Sequence, residues 1–166
     1  MKDPLFLHIA EKLITHPDIK VISFDIFDTL IQRPCIFPED IFILLNNKVK
    51  AILHNNDINF NTIRKDIERK VKEEKYIEDR EITFDDIYNY INKKYKIDYK
   101  KINEIKNEEL KLELTINNSR KIIKERLYSL AIKTGKKIIC ISDMYHNADF
   151  LNKLLLQNKY KVDKIY

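Results

Sequence analysis

Glycine is almost missing from this chain. Gly135 is the only one in 166 residues, beside four prolines. So few turn-formers argue against an all-β fold of tight turns and for long helices. Cysteine is scarce as well, and the two present, Cys35 and Cys140, show neither metal-ligand spacing nor a disulfide framework. Both suit a reducing cytoplasm. No apolar run approaches the ~18–20 residues of a membrane span. Lys2 and Asp3 lead into an amphipathic stretch rather than the continuous apolar core of a signal peptide. Internal repeats and low-complexity linkers are also missing.

Hydrophobic residues make up 44% and charged residues 34%, the balance of a soluble globular domain. The length suits one core, or one core with an inserted subdomain. The net charge is +5, with cations and anions interleaved, as from Lys65 to Arg80. That is the pattern of solvated helix faces with i,i+4 pairs. It argues against nucleic-acid binding and leaves a mild pull on anionic substrates.

Apolar spacing predicts a first helix over 4–15, through Leu5, Phe6, Ile9, Leu13 and Ile14, with Asp3 as cap and Pro4 in the first turn. Val21-Ile22-Ser23-Phe24 reads as a short buried strand that stops at Asp25. From Pro38 to about Ile132 the pattern is helical. Helices are expected from Pro38, from 61 to 76, from Thr83 with Asp85 and Asp86 near its start, from 99 to 114 and from 118 to 134. Gly135 should stop the last of these. Ile138-Ile139-Cys140-Ile141 then reads as a second buried strand, with Cys140 a small core residue. A helix capped by Asn147 follows, and Val162 to Tyr166 looks like the start of a third strand. Helices between buried strands imply parallel pairing by crossover. The middle block exceeds one crossover, so part of it should stand as a helical subdomain.

Ligands of open parallel sheets gather at the carboxyl ends of the strands. The two clean strands end at Asp25 and Ser142. A carboxylate, a hydroxyl and the N–H groups of a following helix would converge there and suit phosphoryl transfer through an aspartyl-phosphate.

The local sequences are more specific. Phe24-Asp25-Ile26-Phe27-Asp28-Thr29-Leu30 resembles the first motif of the haloacid dehalogenase (HAD) superfamily, and Ile141-Ser142-Asp143-Met144-Tyr145 resembles its second. The pair is similar to a bacterial branch often found near, or fused to, polysaccharide glycosyltransferases. The likeness covers about residues 19–34 and 119–166. It implies an α/β fold: a partial Rossmann-like HAD core with parallel strands over 1–33 and 117–166, and an inserted all-helical C1-type cap over 34–116. It implies that Asp25 is the nucleophile, that Thr29 orients the following loop, and that Ser142, with Asp143 beside it, holds the phosphoryl group. It implies Mg²⁺ on the Asp25 carboxylate and the Phe27 carbonyl, held weakly without further acidic ligands. The cap would close over the substrate and exclude water.

Two departures stand out. Where the family's phosphatases carry a second Asp as general acid and base, this chain has Phe27; Asp28, one step on, is the substitute candidate. The family's third-motif Lys and fourth-motif acids lie beyond the strand beginning at Val162, and Lys161 and Lys164 come too early for the former. The sheet should therefore be unfinished, which implies self-association or a partner chain at its edge.

The remaining candidates have plainer readings. Arg33 could reach an anionic substrate from the loop after the first motif, against a simple surface role. Asp143 is a loop or capping carboxylate rather than a metal ligand. Met144 and Tyr145 default to burial, and His146 to an exposed loop. His8, His16 and His54 are structural or solvated. Tyr88, Tyr90 and Tyr95 read as cap core, and Glu109 with Glu113 as an i,i+4 helix face. Together these readings describe a Mg²⁺-dependent, phosphatase-like hydrolase acting on a small phosphorylated metabolite. The rivals are a non-catalytic binding module or degenerate remnant, and a carbon–halogen hydrolase suggested by the missing acid.

Overall fold

The computed structural model describes residues 4–77 and 80–166. Lys2, Asp3 and the expected Asp3 cap lie outside the described residues, as do Glu78 and Asp79 of the charged run. The chain is α/β, with seven α-helices, a three-stranded parallel sheet and a two-stranded antiparallel ribbon among the described residues.

The chain divides into two compact units. The first holds the residues up to Arg33, Asn117–Met144 and Ala148–Tyr166. Its elements are α1 (Pro4–Thr15), β1 (Val21–Asp25), β2 (Ile31–Gln32), β3 (Asn118–Ser119), α6 (Ser129–Thr134), β4 (Lys137–Ile141), α7 (Ala148–Gln157) and β5 (Lys164–Ile165). The sheet runs β1-β4-β5, every pair parallel. β1 and β4 are in register from Val21 opposite Lys137 to Asp25 opposite Ile141.

Both long strands are half-buried rather than buried on two faces as the apolar runs suggested. Ile22, Phe24, Ile138 and Cys140 point into the core, while Val21, Ser23 and Ile141 are exposed. Period-2 alternation is the signature of a sheet covered on one side. Burial pushes the Cys140 thiol up to about 12, with a smaller push from the charge of Asp25.

The expectation for α1 also needs correcting. Leu7 and Ile14 are its buried residues, two turns apart, whereas Leu5, Phe6, Ile9 and Leu13 are exposed. The helix is apolar around most of its girth, so spacing alone did not say which face meets the core. Between β3 and α6 the backbone is π-helical over Ile123–Tyr128; the Ser129 hydroxyl donates to Lys124 O at 2.8 Å. The expected helix start at Asn118 is instead the ribbon strand β3. Gly135 ends α6 at φ +67°, where glycine alone carries no Cβ penalty.

The second unit is helical: Pro34–Ile116 with Tyr145–Asn147. It contains α2 (Ile41–Leu53), preceded by one 3₁₀ turn at Pro38–Asp40, then α3 (Phe60–Ile77), α4 (Phe84–Tyr95) and α5 (Tyr99–Ile116). The Thr83 hydroxyl accepts from Asp86 N–H at 3.1 Å, and Asp86 accepts from Thr83 N–H at 2.9 Å. This reciprocal cap fixes the start of α4. Leu45, Val49, Phe60, Ile67, Ile87 and Ile91 form the heart of its core.

Candidate functional site

β1 and β4 are neighbours and point the same way, so Asp25 and Ser142 lie at one end of the sheet. Asp25 closes β1 opposite Ile141, and Ser142 follows Ile141 directly. Asp25 is exposed and Ser142 half-buried. The carboxylate of Asp25 receives no hydrogen bond from the described residues. Ser142 is anchored through its backbone, its N–H donating to Tyr166 O at 3.1 Å. Its hydroxyl oxygen accepts from Met144 N–H at 3.4 Å, which leaves the O–H proton available to a ligand. The helix expected to aim N–H groups at this spot, α7, starts at Ala148, after Tyr145–Asn147 have passed through the other unit.

The loop after Asp25 is tightly built. Leu30 N–H and Ile31 N–H both donate to Ile26 O, at 3.0 and 2.9 Å. Asp28 sits at φ +55°, in the left-handed region that Asp tolerates better than most residues. Its side chain is exposed, and its carbonyl accepts from the Arg120 guanidinium at 2.6 Å. Leu30 O accepts twice, from Arg120 N–H at 2.8 Å and from the Tyr160 hydroxyl at 2.9 Å. Arg120 and Tyr160 therefore hold the loop in shape, and neither stood out in the sequence. They lie 92 and 130 positions from their acceptors, beyond the reach of any local pattern. Burial pushes the Tyr160 hydroxyl well above its ordinary range, so it remains a donor.

A cavity of about 250 Å³ opens beside this end of β1. Asp25 and Thr29 share its wall with apolar side chains that include Phe6, Phe24 and Leu127. Phe27 is buried. The Arg33 guanidinium lies over its ring, 4.5 Å from the centroid. Asp143 is exposed.

No three His, Cys, Asp or Glu side chains gather as a metal cage among the described residues. The sequence offers Mg²⁺ two protein oxygens, the Asp25 carboxylate and the Phe27 carbonyl, where such an ion needs about six oxygen ligands. They do not make a preformed site.

The second unit holds a buried polar cluster that the sequence reading misjudged. Glu109 and Glu113, taken for an exposed-type helix face, are 1% and 2% exposed, and Arg64 is fully enclosed. Arg64 donates from Nη2 and Nε to Glu109 at 3.0 and 3.1 Å, and from Nη1 to Glu68 at 2.9 Å. The Tyr88 hydroxyl donates to Glu109 at 2.5 Å. Burial, the largest single influence, works to lower the Arg64 pKa, but Glu109, Tyr145 and Tyr88 together outweigh it and the guanidinium is held well above its ordinary value. Burial, with Glu109 close by, raises Tyr88 strongly.

Tyr145 joins this cluster. Its hydroxyl accepts from Arg64 Nη2 at 3.1 Å, and its ring stacks on Phe84 at 5.9 Å and 12°. Phe84 N–H donates to Tyr145 O at 2.9 Å. His146, expected in an exposed loop, is buried against Phe84 with ring centroids 5.1 Å apart.

No protein-family model matches this chain, and no curated protein matches it with significance. No helix among the described residues is long and apolar enough to cross a membrane.

Proposed function

We propose that this chain is a HAD-like hydrolase domain that transfers a phosphoryl group to Asp25. The observation that supports the reading most is the meeting of Asp25 and Ser142 at the carboxyl ends of adjacent parallel strands, one register step apart. In this reading a carboxylate oxygen of Asp25 attacks phosphorus, while the Ser142 hydroxyl donates to a phosphoryl oxygen. Thr29 keeps the loop and carboxylate aligned. Asp28 is the loop carboxylate that would carry the leaving-group proton. Mg²⁺, when bound through Asp25 and the Phe27 carbonyl, would neutralise phosphate charge. Water then cleaves the aspartyl-phosphate, regenerating the carboxylate. The substrate is a small phosphorylated metabolite.

The experiment is a panel of phosphate esters with Mg²⁺, comparing the wild-type chain with Asp25→Asn. Loss of turnover by at least a hundredfold in the variant is expected. Equal turnover by both proteins would remove Asp25 from the chemistry.

A second reading has its own support. β1 lies at an edge of the sheet, and Val21 on it and Leu5, Phe6, Ile9 and Leu13 on α1 are exposed apolar side chains. A binding module completed by a partner would present such a face. Its mark is a folded chain that is inactive on every ester and whose Asp25→Asn variant associates unchanged. Halide release from short haloacids would instead identify the carbon–halogen reaction that Phe27 leaves open.

A further inference from the structure

Most arginines of this chain have their charge accounted for. Arg64 meets Glu109 and Glu68, Arg69 meets Asp66, Arg126 meets Glu11, and Arg120 donates to the Asp28 carbonyl. Arg33 differs. It has no carboxylate or carbonyl partner among the described residues. Its Nε is enclosed without a hydrogen-bond acceptor. The guanidinium lies 4.5 Å above the ring of Phe27, which is itself buried and fixed by the Phe27–Ile31 bridge. Arg33 as a whole is only half-buried, so part of the planar fork faces outward. An aromatic face orients and partly dehydrates a guanidinium without neutralising it. A held, unneutralised cation just past β2, seated on the ring of a residue two positions after Asp25, is a receptor for an anion with two oxygens to offer.

We infer that Arg33 is an anion-binding residue of this site, with Phe27 as the platform that positions it. Its ligand is the phosphoryl group delivered to Asp25, so the inference rests on the phosphoryl-transfer reading. Asp25 forms the new O–P bond as the bond from phosphorus to the leaving oxygen breaks. That oxygen keeps the electron pair and collects its proton from the solvent or from Asp28. Arg33 exchanges no proton in this step; it holds two phosphoryl oxygens by charge and direction. Phe27, where a proton-transferring side chain would otherwise stand, thus serves the site through the cation it carries.

The test is equilibrium binding of inorganic phosphate to the full chain by calorimetry in Mg²⁺ buffer, alongside turnover of the phosphate esters. Arg33→Ala should weaken phosphate binding at least tenfold. Arg33→Lys should recover only part of it, because the charge returns without the fork. Circular dichroism checks the fold, and Arg33→Gln replaces the alanine variant should that one unfold. Phosphate affinity unchanged in a folded Arg33 variant would overturn the inference while leaving the role of Asp25 to the turnover result. Wild-type protein that neither binds phosphate nor turns over any ester would overturn both.

Discussion

Replacing Glu109 by Gln removes one charge from an ion pair with Arg64 that is almost wholly enclosed. Glu109 accepts from Arg64 Nη2 and Nε and from the Tyr88 hydroxyl, and all three residues are buried. The amide keeps a single acceptor oxygen and turns an NH₂ group toward donors. Arg64 cannot respond by losing its proton, because a guanidinium stays charged in proteins. A full cation is left buried with Glu68 at 2.9 Å as its remaining anion. Breaking a buried pair from one side costs about 3–5 kcal/mol; with Glu68 retained, the lower end, about 3 kcal/mol, is expected. At about 2–4 °C per kcal/mol for a chain of this size, the midpoint should fall by about 6–12 °C. Urea unfolding followed by circular dichroism at 222 nm measures the loss directly, and the chain has no Trp to serve instead. The double variant Arg64→Met, Glu109→Leu takes away both charges and should be less damaged than Glu109→Gln. Glu109→Gln within 1 kcal/mol of wild type, or a double variant less stable than Glu109→Gln, would refute the reasoning.

Cys140 should resist alkylation at pH 8 in the folded chain and react on unfolding, while the half-buried Cys35 reacts in both states; mass spectrometry distinguishes them. The same thiol makes stability fall with alkali. It keeps its proton in the folded state to about 12, whereas the unfolded thiol ionises near 9.0, so the unfolded chain binds fewer protons between those limits and gains as pH rises. The urea midpoint should drop between pH 8.5 and pH 10.5 (chosen from the thiol's reference range), and drop less in Cys140→Ala; an identical decline in both would exclude the thiol. Tyr160→Phe deletes the buried hydroxyl that donates to Leu30 O at 2.9 Å. Arg120 N–H still serves that carbonyl, so the loss in urea should stay near 1 kcal/mol, and a much larger one would mean the loop leans on Tyr160 alone.

What the sequence revealed was local. Val21–Asp25 and Lys137–Ile141 are strands because short β-branched runs end abruptly, and Gly135 and Thr83 punctuate helices where their backbone chemistry requires it. The register that sets Asp25 and Ser142 at one end follows from those two strands being parallel neighbours. What it concealed depends on distant partners. A Glu four residues from another Glu looks solvated until an arginine 45 positions away meets it. His146 reads as loop until Phe84 packs on it. One-sided burial of the sheet was equally invisible, because an apolar run says that a strand is covered without saying how many faces are.

The ribbon of β2 and β3 bears on how such a chain can change over time. Ile31 pairs with Ser119 and Gln32 with Asn118, so the two points where the backbone leaves and rejoins the first unit are a strand spacing apart, about 5 Å. Any segment whose ends can meet at that spacing closes the same gap, whatever its length or sequence, with β1 and β4 still in step. The stretch between Gln32 and Asn118 is therefore the part of this polypeptide most open to being lengthened, trimmed or exchanged.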